Sequence, residues 1–344
     1  MRRIMHKSLI NPNGNWIAAA NHLIGDEKAL AHAIIISVRG SAPRELGANM
    51  LISENQIWNT IGGGSLEFEV MEQARGLIKE IGLKVEGSNR KVLNLALGPD
   101  MGQCCGGNVK VLLEILSQSD IKKLAKHSQK LVALEHPLKS GAPTEVLRTD
   151  DDKKFRPFLK KESFVLPTAK KLDPLFIYGA GHVGRALVKI IENMDFDIHW
   201  VDIDEKRFPG GSNSNYSKVI ALDPALIASH APSNAYHVII THSHPLDEAI
   251  CFALLSKDQF QFCGLIGSKT KNSRFRSRLS KMGINDEQLK KLTCPIGIDE
   301  INSKQPAKVA ISIAAQLSIW QETNGIRIGS VSYTHLTLPT ICSV

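Results

Sequence analysis

The segment that most constrains this chain is Gly179-Ala180-Gly181-His182-Val183-Gly184, which follows an apolar run, Leu175–Tyr178, and opens a helical stretch, Arg185–Asn193. In a strand–turn–helix unit the first glycine permits the turn and the second lets a pyrophosphate approach the backbone. The third lets the helix pack closely on the sheet. Asp202 closes the next strand-like run, eighteen positions after Gly184, where a ribose-binding carboxylate belongs. A tight turn with no ligand is the alternative reading of the same glycines. Further strand-like runs at Asp197–Val201, Val219–Leu222, Tyr236–Ile240 and Phe262–Ile266 are separated by stretches able to hold a helix. That rhythm predicts an α/β fold with a parallel, doubly wound, Rossmann-like sheet. Ala307–Trp320 closes it as a helix, with Pro306 near the first turn.

The earlier part of the chain reads as a separate N-terminal α/β domain. Trp16–Leu23 and Glu67–Ile81 have helical spacing, and Ala33–Val38, Asn49–Ile52 and Val109–Ile115 read as strands. From about residue 118 to 172 the chain is more charged. Lys130–Leu134 and Glu145–Leu147 there suggest a small hairpin layer. Domains are expected at 1–170 and 171–328, with the boundary in Pro167–Pro174. Residues 329–344 are expected to be a non-native tail, because Val331–Val344 has no Lys, Arg, Asp or Glu and is rich in Thr and Ser. An ordinary C-terminal strand is the alternative, and Cys342 is set aside with that segment.

Composition narrows the class of function. Of 344 residues, 43 % are hydrophobic and 22 % charged, which excludes wholesale disorder. Only 6 % are aromatic, so no nucleic-acid partner bound on stacked rings is expected. No apolar run reaches the roughly 18–20 residues that span a bilayer, and His6, Lys7, Asn11 and Pro12 interrupt any secretory signal. A cytoplasmic protein is expected. Its six irregularly spaced cysteines do not form a disulfide scaffold, and its net charge of +8 suits an anionic partner.

Five further segments carry residues suited to chemistry. Ile61–Glu67 contains Gly62, Gly63 and Gly64 before a helix, so its amides are expected to face an anion, or Ser65 to cap the helix. Arg44 lies in a turn after a strand, where its guanidinium suits phosphate or carboxylate. In Gly98–Gly107, Cys104 and Cys105 precede Gly106 and Gly107; adjacent cysteines make a strained pair, and no zinc-knuckle partner lies nearby. Either an exposed thiol supported by glycine amides or two small buried residues fits this pattern. Thr241–Asp247 holds His242 and His244, but its Asp stands one place late for the zinc-hydrolase pattern. No metal ligand set is therefore assigned, and the segment is read as a loop over the ligand crevice. Gly264–Lys271 is too short in glycine spacing for a Walker A loop, yet Ser268 and Lys269 suit a phosphate.

Taken in order, Gly40–Gly47, Ile61–Glu67, Gly102–Gly107, Phe176–Leu187, Thr241–Asp247, Gly264–Lys271 and Pro295–Asp299 resemble the xanthine dehydrogenase accessory factor family, XdhC/CoxI, over roughly residues 14–320. The resemblance implies a non-enzymatic maturation factor. Such a protein binds the molybdenum cofactor (molybdopterin) as cargo, supports its sulfuration by a cysteine desulfurase, and delivers it to apo-xanthine dehydrogenase or a related molybdenum hydroxylase. It implies cofactor contacts at Cys105 and Cys104, and a cleft formed by Gly179, Gly181, His182, Gly184 and Asp202. Ser65 stands where some relatives carry cysteine, so no thiol role transfers there. An NAD(P)-dependent oxidoreductase is the alternative, although no hydride-transfer acid or base stands out. Exposed strand edges are compatible with a homodimer.

Overall fold

The computed structural model describes residues 15–25, 27–81, 89–97, 106–126, 132–142, 144–147, 156–168, 172–210 and 215–323. Cys104, Cys105 and the segment 329–344 lie outside them. The chain divides into two compact units, Met1–Lys171 and Leu172–Val344.

In the first unit, α1 (Trp16–Leu23) precedes three strands, β1 (Ala29–Arg39), β2 (Asn49–Ile52) and β3 (Ile57–Trp58). Helix α2 (Gly64–Ile81) follows, then β4 (Asn89–Ala96), β5 (Asn108–Ser117) and α3 (Gln118–Ala125). The five strands pair antiparallel in the order β3-β2-β1-β5-β4. Both faces of the sheet are covered, which is why β1 reads as an unbroken apolar run. Ala29, Ala31, Ala33 and Ile35 share a core with Leu66 and Val70 of α2, while Leu30, Ile34 and Ile36 pack with Trp16 of α1 and Ile121 of α3. A register shift between Ile35 and Ser37 moves Val38 onto the α2 side, as an extra residue in a strand must.

A second antiparallel sheet, ordered β7-β6-β9-β8, is built from β6 (Ala133–Pro137), β7 (Glu145–Leu147), β8 (Phe158–Leu159) and β9 (Ser163–Pro167). Leu134, Phe164 and Leu166 join the core of α1 and α3. The expected hairpin layer is therefore a four-stranded sheet, and its strand β6 begins later than the pattern in Lys130–Leu134 suggests.

The second unit is the expected parallel sheet. Its strands are β10 (Asp173–Tyr178), β11 (Phe196–Asp202), β12 (Tyr216–Ile220), β13 (Tyr236–Ile239), β14 (Phe262–Leu265) and β15 (Leu292–Thr293). They pair in the order β12-β11-β10-β13-β14-β15, all parallel. Helices α4 (His182–Ile191) and α9 (Pro306–Glu322) pack on one face through Leu187, Ile191, Ile313 and Leu317. The other face carries α5 (Pro224–His230), α6 (His244–Lys257), α7 (Lys269–Lys281) and α8 (Asp286–Lys290), through Ala228, Leu254, Phe275 and Leu289. Side chains alternate between these cores along β10, with Leu175 and Ile177 on one side and Phe176 and Tyr178 on the other. Strand β12 ends two residues before the expected Leu222, which is 94 % exposed. Strand order reverses between β10 and β13, so a crevice opens at their carboxyl ends.

Candidate functional site

The turn after β10 is shaped by what its glycines touch. Gly179 has φ +119°, and a Cβ there would stand 2.5 Å from the Ile240 carbonyl oxygen. At Gly184 a Cβ would stand 2.1 Å from the Gly179 oxygen, so the helix approaches the strand as closely as backbone allows. Trp200 fixes the same carbonyl by donating its indole N–H to Gly179 at 3.0 Å. Gly181 differs, because a Cβ there meets nothing within 4 Å. It is the N-cap of α4 and offers no side chain to the helix amides, which leaves the positive end of the helix dipole facing open space. His182 follows at the exposed start of α4.

Asp202 lies at the expected place but is only 5 % exposed. Its Oδ2 accepts from the Ala180 N–H at 2.6 Å, and its Oδ1 from Ile203 at 2.7 Å and Asp204 at 3.3 Å. The carboxylate thus braces the glycine turn. Arg207 follows on a short 3-10 turn, Glu205–Arg207, with Nε 3.7 Å from Asp202 Oδ1 and Nη1 donating to His242 Nδ1 at 2.7 Å. The cleft beside them is lined by Gly179, Val201, Ile203, Pro224, Thr241 and Leu246. Arg207 was not singled out in the sequence; a basic residue five places after the strand-ending acid was the available signal.

Asp247 is fully buried and accepts from Thr241 Oγ1 at 2.6 Å and Lys271 Nζ at 2.7 Å. Lys271 also donates to the Ile266 carbonyl at 2.9 Å, so this pair ties the loop after β13 to the loop after β14. That commitment removes Asp247 from any ligand set with His242 and His244. Ser268 accepts from the Lys271 N–H at 3.2 Å as the N-cap of α7, and Lys269 lies exposed in the first turn. The three cysteines described in this unit are poor nucleophiles. Burial raises the Cys251 thiol, pushes Cys263 up to about 12 and pushes Cys294 up to about 11.

In the first unit the glycine segments meet at one corner. A bridge pairs Ser41 with Gly106, and a Cβ on Gly107 would stand 2.1 Å from the Ser41 oxygen. Pro43 packs on Gly62, where a Cβ would stand 2.5 Å from its ring, and Arg44 Nη1 donates to the Thr60 carbonyl at 3.1 Å. The expectation of bare amides at Gly62–Gly64 is corrected by Glu67. Its Oε2 accepts from Thr60 Oγ1 at 2.5 Å, Gly63 N–H at 3.0 Å and Ile61 N–H at 3.3 Å, while the Gly62 N–H donates to Thr60 Oγ1 at 3.0 Å. The turn supplies its own anion. Ser65 lies within the first turn of α2 rather than before it.

A buried cluster in the same unit escaped the sequence reading. His32 on β1, Glu114 on β5 and His136 on β6 are all fully buried and offer three donor atoms within 4.8 Å of one another. Glu114 accepts from His136 Nδ1 at 2.7 Å and Thr144 Oγ1 at 2.6 Å, and pairs with the Arg90 guanidinium. Burial alone would raise this carboxyl, but His136, Arg90 and Thr144 outweigh it and hold the group well below the usual carboxylate range. Burial and the neighbouring His136 lower His32 to about 3, so its imidazole is neutral. With Arg90 already compensating the carboxylate, the cluster is an ion-pair network joining the two sheets. The sequence signal was a histidine and a glutamate placed inside otherwise apolar strands.

Residues 175–317 match the family description "XdhC Rossmann domain", and residues 23–85 match "XdhC and CoxI family". The chain is 22 % identical over 331 residues to a probable xanthine dehydrogenase subunit of Bacillus subtilis (strain 168), covering 88 % of this chain and 97 % of that one. It is also 22 % identical over 293 residues to the uncharacterized protein YqeB of Escherichia coli (strain K12), covering 83 % of this chain but only 42 % of YqeB. The chain thus spans less than half the length of that relative. The crystal structure of a xanthine dehydrogenase from Bacillus halodurans shares the fold, with a TM-score of 0.69 at 22 % identity over 92 % of this chain and 98 % of that chain.

Proposed function

The chain belongs to the XdhC and CoxI family of xanthine dehydrogenase accessory factors, and from that premise we propose that it carries the molybdenum cofactor as cargo. It supports sulfuration of that cargo by a cysteine desulfurase and its insertion into xanthine dehydrogenase or a related molybdenum hydroxylase. The observation that carries this reading is the uncapped start of α4 beside the open face of Gly181, a setting that fits a pterin phosphate or pyrophosphate. The donor chemistry of the two units differs. In the first, Glu67 and Thr60 Oγ1 already take the Gly63 and Gly62 amides, and the thiols expected to meet the cargo are Cys104 and Cys105, which precede Gly106 in the sequence. A soft thiolate suits molybdenum rather than the phosphate. When bound, the cargo supplies the redox centre of the client enzyme. The carrier's residues hold and release it.

Anaerobic purification followed by molybdenum and pterin analysis tests the proposal. Stoichiometric cofactor is expected, with marked loss in Cys105→Ala and in Gly181→Val while the fold is retained. Unchanged molybdenum content in both variants would count against it.

A further inference from the structure

We propose that the second unit selects a nucleotide whose ribose bears a phosphate, of the 2′-phosphoadenosine type, over one with a free ribose diol. The inference concerns the same cleft as the carrier reading but does not rest on it. In a sheet of this order the acid ending the second strand normally accepts hydrogen bonds from the ribose hydroxyls. Asp202 holds that position with its capacity nearly spent. Three backbone N–H groups already donate to it, and the Arg207 guanidinium stands beside its Oδ1 at 3.7 Å. A carboxylate offers about four acceptor sites. A diol would therefore displace a backbone N–H at a nearly buried position and leave it unpaired.

The neighbouring charge points the other way. Arg207 is one-third exposed at 34 %, and its Nη1 donates to Nδ1 of the exposed His242 at 2.7 Å, a contact that a phosphate could replace with a charge-assisted one. The turn carrying it is held in place, because Arg185 Nε donates to the Arg207 carbonyl at 3.0 Å and to the Ala180 carbonyl at 3.1 Å. Of the acids on that turn, Asp204 spends one oxygen on the Lys206 N–H at 3.0 Å, and Glu205 is exposed to solvent. Ile203 and Leu246 are half-buried apolar side chains beside the adjoining cleft. A guanidinium beside a spent acid is the arrangement that accommodates a 2′-phosphate.

The test is calorimetric titration of the full chain with two matched pairs, NADP+ against NAD+ and 2′,5′-ADP against 5′-ADP, at low and moderate salt. The phosphorylated member of each pair should bind about 10- to 100-fold more tightly, a charge-assisted contact being that strong. Arg207→Ala should bring the ratio close to one with unchanged circular dichroism, and Arg207→Lys should restore part of it. Equal or tighter binding of the diol forms would overturn the assignment. So would absence of binding by all four ligands, or a preference that survives Arg207→Ala. No molybdenum cofactor enters this experiment, so its failure and that of the carrier proposal remain distinguishable.

Discussion

At Gly62–Gly64 the chain folds a carboxylate back into its own glycine turn, whereas at Gly181 it begins a helix with no side-chain cap on the leading amides. Both segments are glycine-rich and both precede a helix. In the first, Glu67 sits one turn into α2 and reaches back, so the glycines serve a closed turn packed under Pro43. In the second, Asp202 comes from the neighbouring strand and takes the Ala180 amide, leaving Gly181 clear. Glycine content marks where backbone can come close. The nearest carboxylate decides whether a ligand can use it.

The units also differ in their buried charge, and the largest expected effect lies there. Glu114→Ala leaves the Arg90 guanidinium without its carboxylate inside the first unit and should cost about 3–5 kcal/mol. Urea unfolding monitored separately for the two units should show the loss in the first only. A loss shared equally by both would break the comparison.

Acid should act on both units alike before it reaches Glu114. His32 and His237 are each held at about 3 by burial, one in each unit. Their folded values lie below the unfolded one, so the unfolded chain binds more protons once pH falls below about 6.5, and stability drops from there toward pH 3. Between pH 7 and 5 each histidine should cost its unit about 2 kcal/mol. Denaturation midpoints across this range measure it, and His237→Gln should flatten the slope in the second unit alone. Glu114 adds to the loss only below the ordinary carboxylate range, since its own value is depressed.

A smaller contrast separates two glycines of one turn. Gly184→Ala drives a Cβ against the Gly179 carbonyl and should destabilise the second unit by about 1–3 kcal/mol. Gly181→Ala, with φ −74° and open space, should change stability by less than about 0.5 kcal/mol. Thermal melts of the pair suffice, and equal penalties would refute the assigned roles. Smallest of all, Glu67→Ala should cost about 1 kcal/mol because solvent reaches part of the turn. The first unit of the variant should also gain a phosphate-dependent rise in melting temperature that the same unit lacks in the parent chain.

The second unit was legible because parallel strands covered on both faces are continuous apolar runs, and β10, β13 and β14 read that way. The first unit was legible in its first two helices and in β1, β2, β5 and β7. Strand β4 carries Arg90, Lys91 and Asn94 among its apolar residues, so its pattern did not stand out as a strand, while β9 follows a charged stretch. The site was legible at the glycines and at Asp202, because their spacing follows from how a turn meets a sheet. Glu67, Arg207 and the network around Glu114 were not, since each acts through side-chain reach across elements, which local spacing does not encode.

The indole of Trp200, bonded to the first glycine carbonyl of the cleft, gives the second unit a built-in optical gauge. Any occupant that shifts that carbonyl changes the polarity and hydrogen bonding of a buried fluorophore. Emission wavelength should then follow loading and release directly, with no label attached.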